Sequence, residues 1–318
     1  MQYRLFLKVI VAVSLILKFS LFNVNAILEA STLEEKIKRH IQVLAVELGE
    51  RNYLQHKNLG CAADYIQKEF KSYGYEPTEQ VYTMENRPYR NIIATKPGKD
   101  KKDKIIIICA HYDSVVGSPG ADDNASGVAA LLELARLFSQ LDLNKTLKFI
   151  AFTNEEPPFY LTEYMGSFRY AKEARKRKED IKAVLCLESI GFYSDKNKSQ
   201  SYPFGLSLFY PDKANFIAVI SNLPSGYLLK RIVGEFKKAS NFPVEYLIAP
   251  IFLAEAISFS DHWSFWKFGY RAVMVTDTAF YRNPYYHTQQ DTADKLNYNN
   301  MLKVIRGLYK VVLNLSEY

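Results

Sequence analysis

The chain is 318 residues long, 48% hydrophobic and 14% aromatic, with a formal net charge of +7. That length and composition allow one large α/β domain or two small ones and exclude a disordered chain. Without Arg4, Lys8 and Lys18 the balance is 38 basic residues against 34 acidic, and the lysines at 99–104 and 172–182 are interspersed with acids and lack interleaved aromatics, which implies solvated surface and argues against nucleic-acid binding.

The N-terminus joins a basic start (MQYRLFLK) to a largely apolar run (VIVAVSLIL) and a small-residue end at Val24-Asn25-Ala26. This is the layout of a secretory signal peptide cleaved near Ala26, and the run between Lys8 and Lys18 is short for a membrane span. The expectation is an exported protein, secreted or periplasmic, with one domain over 27–318 and no stable membrane insertion once the signal is removed. Of the three cysteines, Cys109 and Cys186 sit in apolar strand patterns and Cys61 in a helix, so no disulfide framework is expected.

Ser31-Thr32 ahead of Glu34-Glu35 opens a helix that carries Ile37, Ile41, Leu44 and Leu48 at helical spacing. A second helix fits 60–73, and strands fit 79–84 and 90–96. The lysine-rich stretch after Pro97-Gly98 reads as a turn into the run Ile105 to Cys109, a strand buried on both faces. A helix then starts at Ser126, apolar at Val128, Leu131, Leu132, Ala135 and Phe138. Strands follow at 146–153, 181–187, 206–210, 244–248 and 271–275, and helices at 166–178, 224–239, 261–268 and 296–313. Such alternation predicts an α/β fold, a three-layer α/β/α sandwich with a mixed, mostly parallel sheet. His40 and His56, in the N-terminal helical region, are read as surface residues.

Chemistry gathers where strands end. His111, Asp113, Asp122 and Asp123 follow the isoleucine strand, Glu155 and Glu156 the next one, Glu188 ends another, and His287 follows the last. Each alone would be an ordinary core or surface residue. Together, in loops at strand ends and without a phosphate-cradling glycine pattern, they point to a metal site.

Six segments in order, HYDS at 111–114, GADDNASG at 120–127, NEE at 154–156, LES at 187–189, SDHW at 260–263 and HTQQDT at 287–292, resemble the co-catalytic two-zinc aminopeptidases (metallopeptidase family twenty-eight) and their glutaminyl cyclase relatives. The resemblance spans roughly 90–296 and implies a phosphorylase/hydrolase-like sandwich acting on peptides. It also implies that His111 and Glu188 complete one zinc site, Glu156 and His287 a second, and that Asp123 bridges them. Glu155 would be the general base and Asp113 would orient His111. Two zinc ions about 3.5 Å apart need a shared carboxylate, and together they supply hydroxide near neutral pH to attack the scissile carbonyl. The alternatives are a single-zinc glutaminyl cyclase and a non-catalytic binding protein on the same scaffold. Glu188 stands where several relatives have aspartate. The insertion PPFYLTEYM after Glu156 is either an aromatic wall over the site or a plain surface loop, and Trp263 and Trp266 either pack the core or line a substrate pocket.

Overall fold

The computed structural model describes residues 32–203, 205–249 and 257–317, and the signal segment expected over 1–26 lies outside them. The period of two in the isoleucine run decides the architecture. Strand β3 (Lys101–His111) sends Ile106, Ile108 and Ala110 into one apolar cluster and Ile105, Ile107 and Cys109 into another on the opposite face, as pleating demands. It pairs in parallel with β4 (Lys145–Phe152) and β5 (Asp180–Glu188). With β1 (Thr78–Met84), β2 (Arg87–Lys96), β6 (Ile217–Asn222), β7 (Val244–Ala249) and β8 (Ala272–Thr276), these form an eight-stranded sheet in the order β1-β2-β4-β3-β5-β8-β6-β7. The β5–β8 and β6–β7 pairs are parallel as well, whereas β1–β2, β2–β4 and β6–β8 are antiparallel, so the sheet is mixed.

Helices α1 (32–41), α2 (His56–Ser72), α3 (Gly127–Phe138), α5 (Gly226–Ala239) and α7 (Tyr298–Glu317) contribute to the cluster on one face. Helices α4 (Gly166–Lys176) and α6 (His262–Lys267) supply Tyr170, Ala171, Ala174 and Phe265 to the cluster on the other. The result is the expected three-layer α/β/α arrangement.

Several elements depart from the sequence reading. Strand β3 begins at Lys101, because the charged residues of the supposed turn form its exposed end and pair with Lys145 and Asp180. Residues 206–210 are no strand. Leu206–Leu208 is a single 3₁₀ turn, and Leu208 and Phe209 stay exposed with no neighbouring strand to pair with. Strand β6, which was not expected, gains its place by lying between β8 and β7. His40 is buried, contrary to its surface reading: it falls three residues after Ile37 on the inward stripe of α1, where Nε2 lies 3.2 Å from Glu133 and Nδ1 lies 2.6 Å from the Tyr65 hydroxyl. His56 is partly buried and donates from Nε2 to the Pro88 carbonyl at 2.9 Å.

Cys109 and Cys186 are buried free thiols in register on β3 and β5, their Sγ atoms 3.2 Å apart. On the helical layer, α5 and α7 approach closely through Gly307, where an added Cβ would collide with the Phe236 ring. Alanine would favour the helix by about 1 kcal/mol, but overpacking a closed core costs about 1–3 kcal/mol. Gly307→Ala should therefore lower the urea midpoint; a raised midpoint would mean that the buried ring gives way freely.

Candidate metal centre

Strands β3, β4, β5 and β8 are mutually parallel, and their carboxyl ends share one edge of the sheet. Open α/β sheets build their sites at such an edge. His111 is the last residue of β3 and Glu188 the last of β5, while Glu155 and Glu156 follow β4 and His287 follows β8. Asp123 arrives from the β3–α3 loop. All but His287 are buried, and that ring sits at the mouth with its face stacked on Tyr286, centroids 3.9 Å apart.

Asp123 divides the group in two. Its Oδ1 lies 3.2 Å from His111 Nε2, which is 3.1 Å from Glu188 Oε2. Its Oδ2 lies 3.1 Å from His287 Nε2, which is 3.3 Å from Glu156 Oε2. Glu155 Oε2 stands 3.8 Å from His111 Nε2. Asp113 places Oδ1 3.5 Å from His111 Nδ1, and its two oxygens accept the backbone N–H groups of Glu155 and Glu156 at 3.2 and 3.0 Å. One carboxylate thus braces an imidazole and the loop that carries both glutamates.

The loop bearing Asp123 is held from three sides. Asp291 accepts the N–H groups of Asp122 and Asp123, at 2.9 and 3.1 Å. Asp122 turns away from the cluster and accepts Gly191 N–H and Asn283 Nδ2, both at 2.8 Å. The Asn124 side chain joins this loop to the end of β5, donating to Leu187 O at 2.8 Å and accepting Ser189 N–H at 3.1 Å. Beneath lies Arg51, fully buried, donating from Nε to Tyr112 O at 2.7 Å, from Nη2 to Gly120 O at 2.7 Å and from Nη1 to Pro119 O. Nothing in the local sequence marks Arg51, since its partners are backbone carbonyls, those of Tyr112, Pro119 and Gly120 lying far along the chain. Asp291 stood within HTQQDT but without a role. Ser260, from SDHW, donates to Glu188 Oε2 at 2.7 Å and so steadies the longer side chain found there.

Burial raises the pKa of Glu155, Glu156 and Glu188, with neighbouring carboxylates adding to it, and Glu156 is pushed up to about 8. Burial also works against charge on the imidazoles. The carboxylates outweigh it, so His111 is held well above its usual value and His287 is pushed up to about 10. Asp123, between both rings, is held far below the usual range despite its burial. Such crowding of acids is costly unless positive charge resides among them. Among the described residues, neither ring nitrogen of His111 nor Oε1 of Glu156 makes a hydrogen bond. Buried polar atoms are normally paired, so nitrogen and oxygen donors left converging here suit a borderline cation such as zinc.

The remaining expected features take plainer places. Phe159 of the insertion packs among Tyr53, Tyr89 and Tyr164, and Tyr160 donates to Ser258 O at 3.2 Å. Burial raises the Tyr160 pKa with help from Glu155 and Glu188, so it flanks the cluster, whereas Leu161, Glu163 and Tyr164 are exposed. The insertion is wall at its start and surface loop at its end. Trp266 donates to Ala272 O at 2.9 Å and Trp263 packs on Phe168, so both serve packing.

Residues 91–312 match the profile of peptidase family M28. The chain belongs to that family. It is therefore a peptide hydrolase. It is 37% identical over 289 residues to the uncharacterized protein YfbL of Escherichia coli strain K12, covering 88% of each chain. It is 29% identical over 261 residues to a probable leucine aminopeptidase of Arthroderma otae, covering 76% of this chain and 62% of that longer one. In fold it is similar to BSAP, a zinc aminopeptidase from Bacillus subtilis, with a TM-score of 0.71 at 16% identity over 89% of this chain and 95% of that one. It is also similar to a glutaminyl cyclase from Bacteroides thetaiotaomicron, with a TM-score of 0.64 at 19% identity over 90% and 97%.

Two outcomes follow from the buried supports. Removing Arg51 strands at least three buried carbonyls, so Arg51→Met should cost about 3–5 kcal/mol in chemical unfolding. His262, under the site, donates from Nε2 to Ile257 O at 2.7 Å, and burial pushes its pKa down to about 4. With its folded pKa below the unfolded value of about 6.5, it leaves stability intact above pH 6.5 and withdraws about 3 kcal/mol as pH falls to 4. Unfolding of metal-stripped protein across that range should fall less steeply for His262→Asn than for the wild type.

Proposed function

We propose that this chain is an exported aminopeptidase, one domain over 27–318 acting in the periplasm or outside the cell. Two zinc ions would be held by His111, Asp123, Glu156, Glu188 and His287. The observation that carries the reading is the division of Asp123: each oxygen faces a different imidazole, and each imidazole faces a different glutamate. Four ligands for one ion would not need a carboxylate aimed both ways. Exopeptidase action at the amino end is supported by relatives such as the probable leucine aminopeptidase of Arthroderma otae.

Zinc, when bound, would polarise the scissile carbonyl and make water acidic at neutral pH. The protein groups do the rest. Glu155 takes the proton from the attacking water and delivers it to the leaving amine nitrogen as the carbon–nitrogen bond breaks. Asp113 keeps His111 in place and fixes the backbone from which Glu155 and Glu156 project in different directions.

Adjacent substitutions should therefore fail differently. Glu155→Gln should lower turnover about 10²–10⁴-fold with zinc content near wild type. Glu156→Gln should lose part of its zinc and regain some rate when zinc is added in excess. Elemental analysis should find two zinc ions per chain. One firmly bound ion, with ammonia released from N-terminal glutamine, would assign the chain to the cyclases instead.

A further inference from the structure

The sheet face that carries α4 and α6 is covered by those helices only in part, and a cavity lies over β8, β6 and β7. Its position follows from register. Glu188 lies opposite Thr276, Thr276 opposite Ala218, and Ala218 opposite Glu245. Residues directly opposite one another share a face, so all four line this cavity in a single row. Glu188 and Glu245 stand at its two ends, three strand spacings or roughly 14 Å apart at about 4.8 Å each. Between them the walls are apolar and aromatic, with Tyr202, Phe216, Phe259 and Tyr281 over Ala218 and Met274.

Among the described residues, the two glutamates are the only charged groups along this corridor. Glu188 is spoken for by His111 and Ser260, whereas Glu245 makes no hydrogen bond or ion pair with any described residue. Desolvation raises its pKa, opposed only by distant Lys237. A partly desolvated carboxylate without a partner, at the end of an apolar corridor, is a cost that a matching cation removes. The complement is a side chain with a long apolar stem and a cationic tip. From ordinary bond lengths an extended arginine reaches about 7 Å from Cα to its guanidinium and a glutamate about 4 Å to its carboxylate, which leaves about 3 Å of the corridor for the hydrogen bond between them, whereas leucine stops well short. Tyr202 and Tyr210, stacked on each other with centroids 5.7 Å apart, line the corridor close enough to Glu245 to feel its charge.

We propose that Glu245 determines specificity and that this enzyme prefers peptides with arginine or lysine at the amino terminus; the proposal rests on the aminopeptidase reading above. The zinc-loaded protein would be assayed against arginyl, lysyl, methionyl, leucyl, phenylalanyl and glutamyl arylamides. The expected kcat/KM for arginyl and lysyl substrates is at least tenfold above that for methionyl. Glu245→Gln, nearly isosteric and at a half-exposed edge position, should lower the arginyl-to-methionyl ratio at least tenfold, and Glu245→Lys should shift preference toward the glutamyl substrate. Because the readout is a ratio within one preparation, loss of folded protein does not mimic it. Hydrolysis of leucyl or methionyl substrates with no basic preference, or with a ratio that Glu245→Gln leaves in place, overturns the assignment of Glu245 and leaves the aminopeptidase reading standing. No hydrolysis of any arylamide overturns that reading and this proposal with it.

Discussion

The Asp291 carboxylate accepts two consecutive amides, those of Asp122 and Asp123, and the candidate metal centre depends on that grip. It sets the path of the loop, so Asp122 turns to its own anchors at Gly191 and Asn283 while Asp123 faces the two imidazoles. Arg51 locks the same loop from below through the carbonyls of Tyr112, Pro119 and Gly120. A buried network whose members are all satisfied is rigid, because any shift leaves a polar group unpaired in the interior. Metal ligands need that rigidity, since a carboxylate displaced by an ångström no longer reaches both partners.

The sheet supplies the other half of the arrangement. Parallel strands end together, and each of β3, β4, β5 and β8 brings its own candidate ligand to the common edge by running apolar until its last residues. The apolar run is what makes the edge dry, and dryness is what makes the carboxylates demand a cation. Hydrophobic burial and metal affinity are thus two results of the same strand sequences.

Much of this was legible in the residues, for reasons that differ by element. The isoleucine strand and the strands before Glu155 and Glu188 were plain because a short apolar run that stops at an acid has few other readings. That His111, the Glu155-Glu156 pair, Glu188 and His287 would gather could be anticipated from strand ends, since topology brings such ends together, whereas the choice of Asp123 over Asp122 and of Glu156 over Glu155 as ligands rested on the resemblance to the two-zinc aminopeptidases. Strand β6 could not, because six residues become a strand only by lying between β8 and β7. The reverse error at 206–210 has the same origin, as apolar residues with no neighbouring strand to pair with curl into a turn. Arg51 and Asp291 were silent because both act on backbone groups, which carry no residue identity. His40 was misread by type, when its spacing from Ile37 already placed it on the inward stripe.

The partial cover on the α4 and α6 face separates two tasks along the chain. The candidate ligands lie at or after the carboxyl ends of β3, β4, β5 and β8, whereas the corridor floor beyond Thr276 comes from β6 and β7. Substitutions at Ala218 or Leu247 would reshape what the corridor admits without touching a group that holds the metal site. A bulkier residue in place of Ala218, midway along the row, would shorten the corridor and exclude long side chains. Such a division lets selection adjust diet and chemistry independently, so members of one lineage can diverge in the peptides they trim while keeping the same hydrolytic machinery.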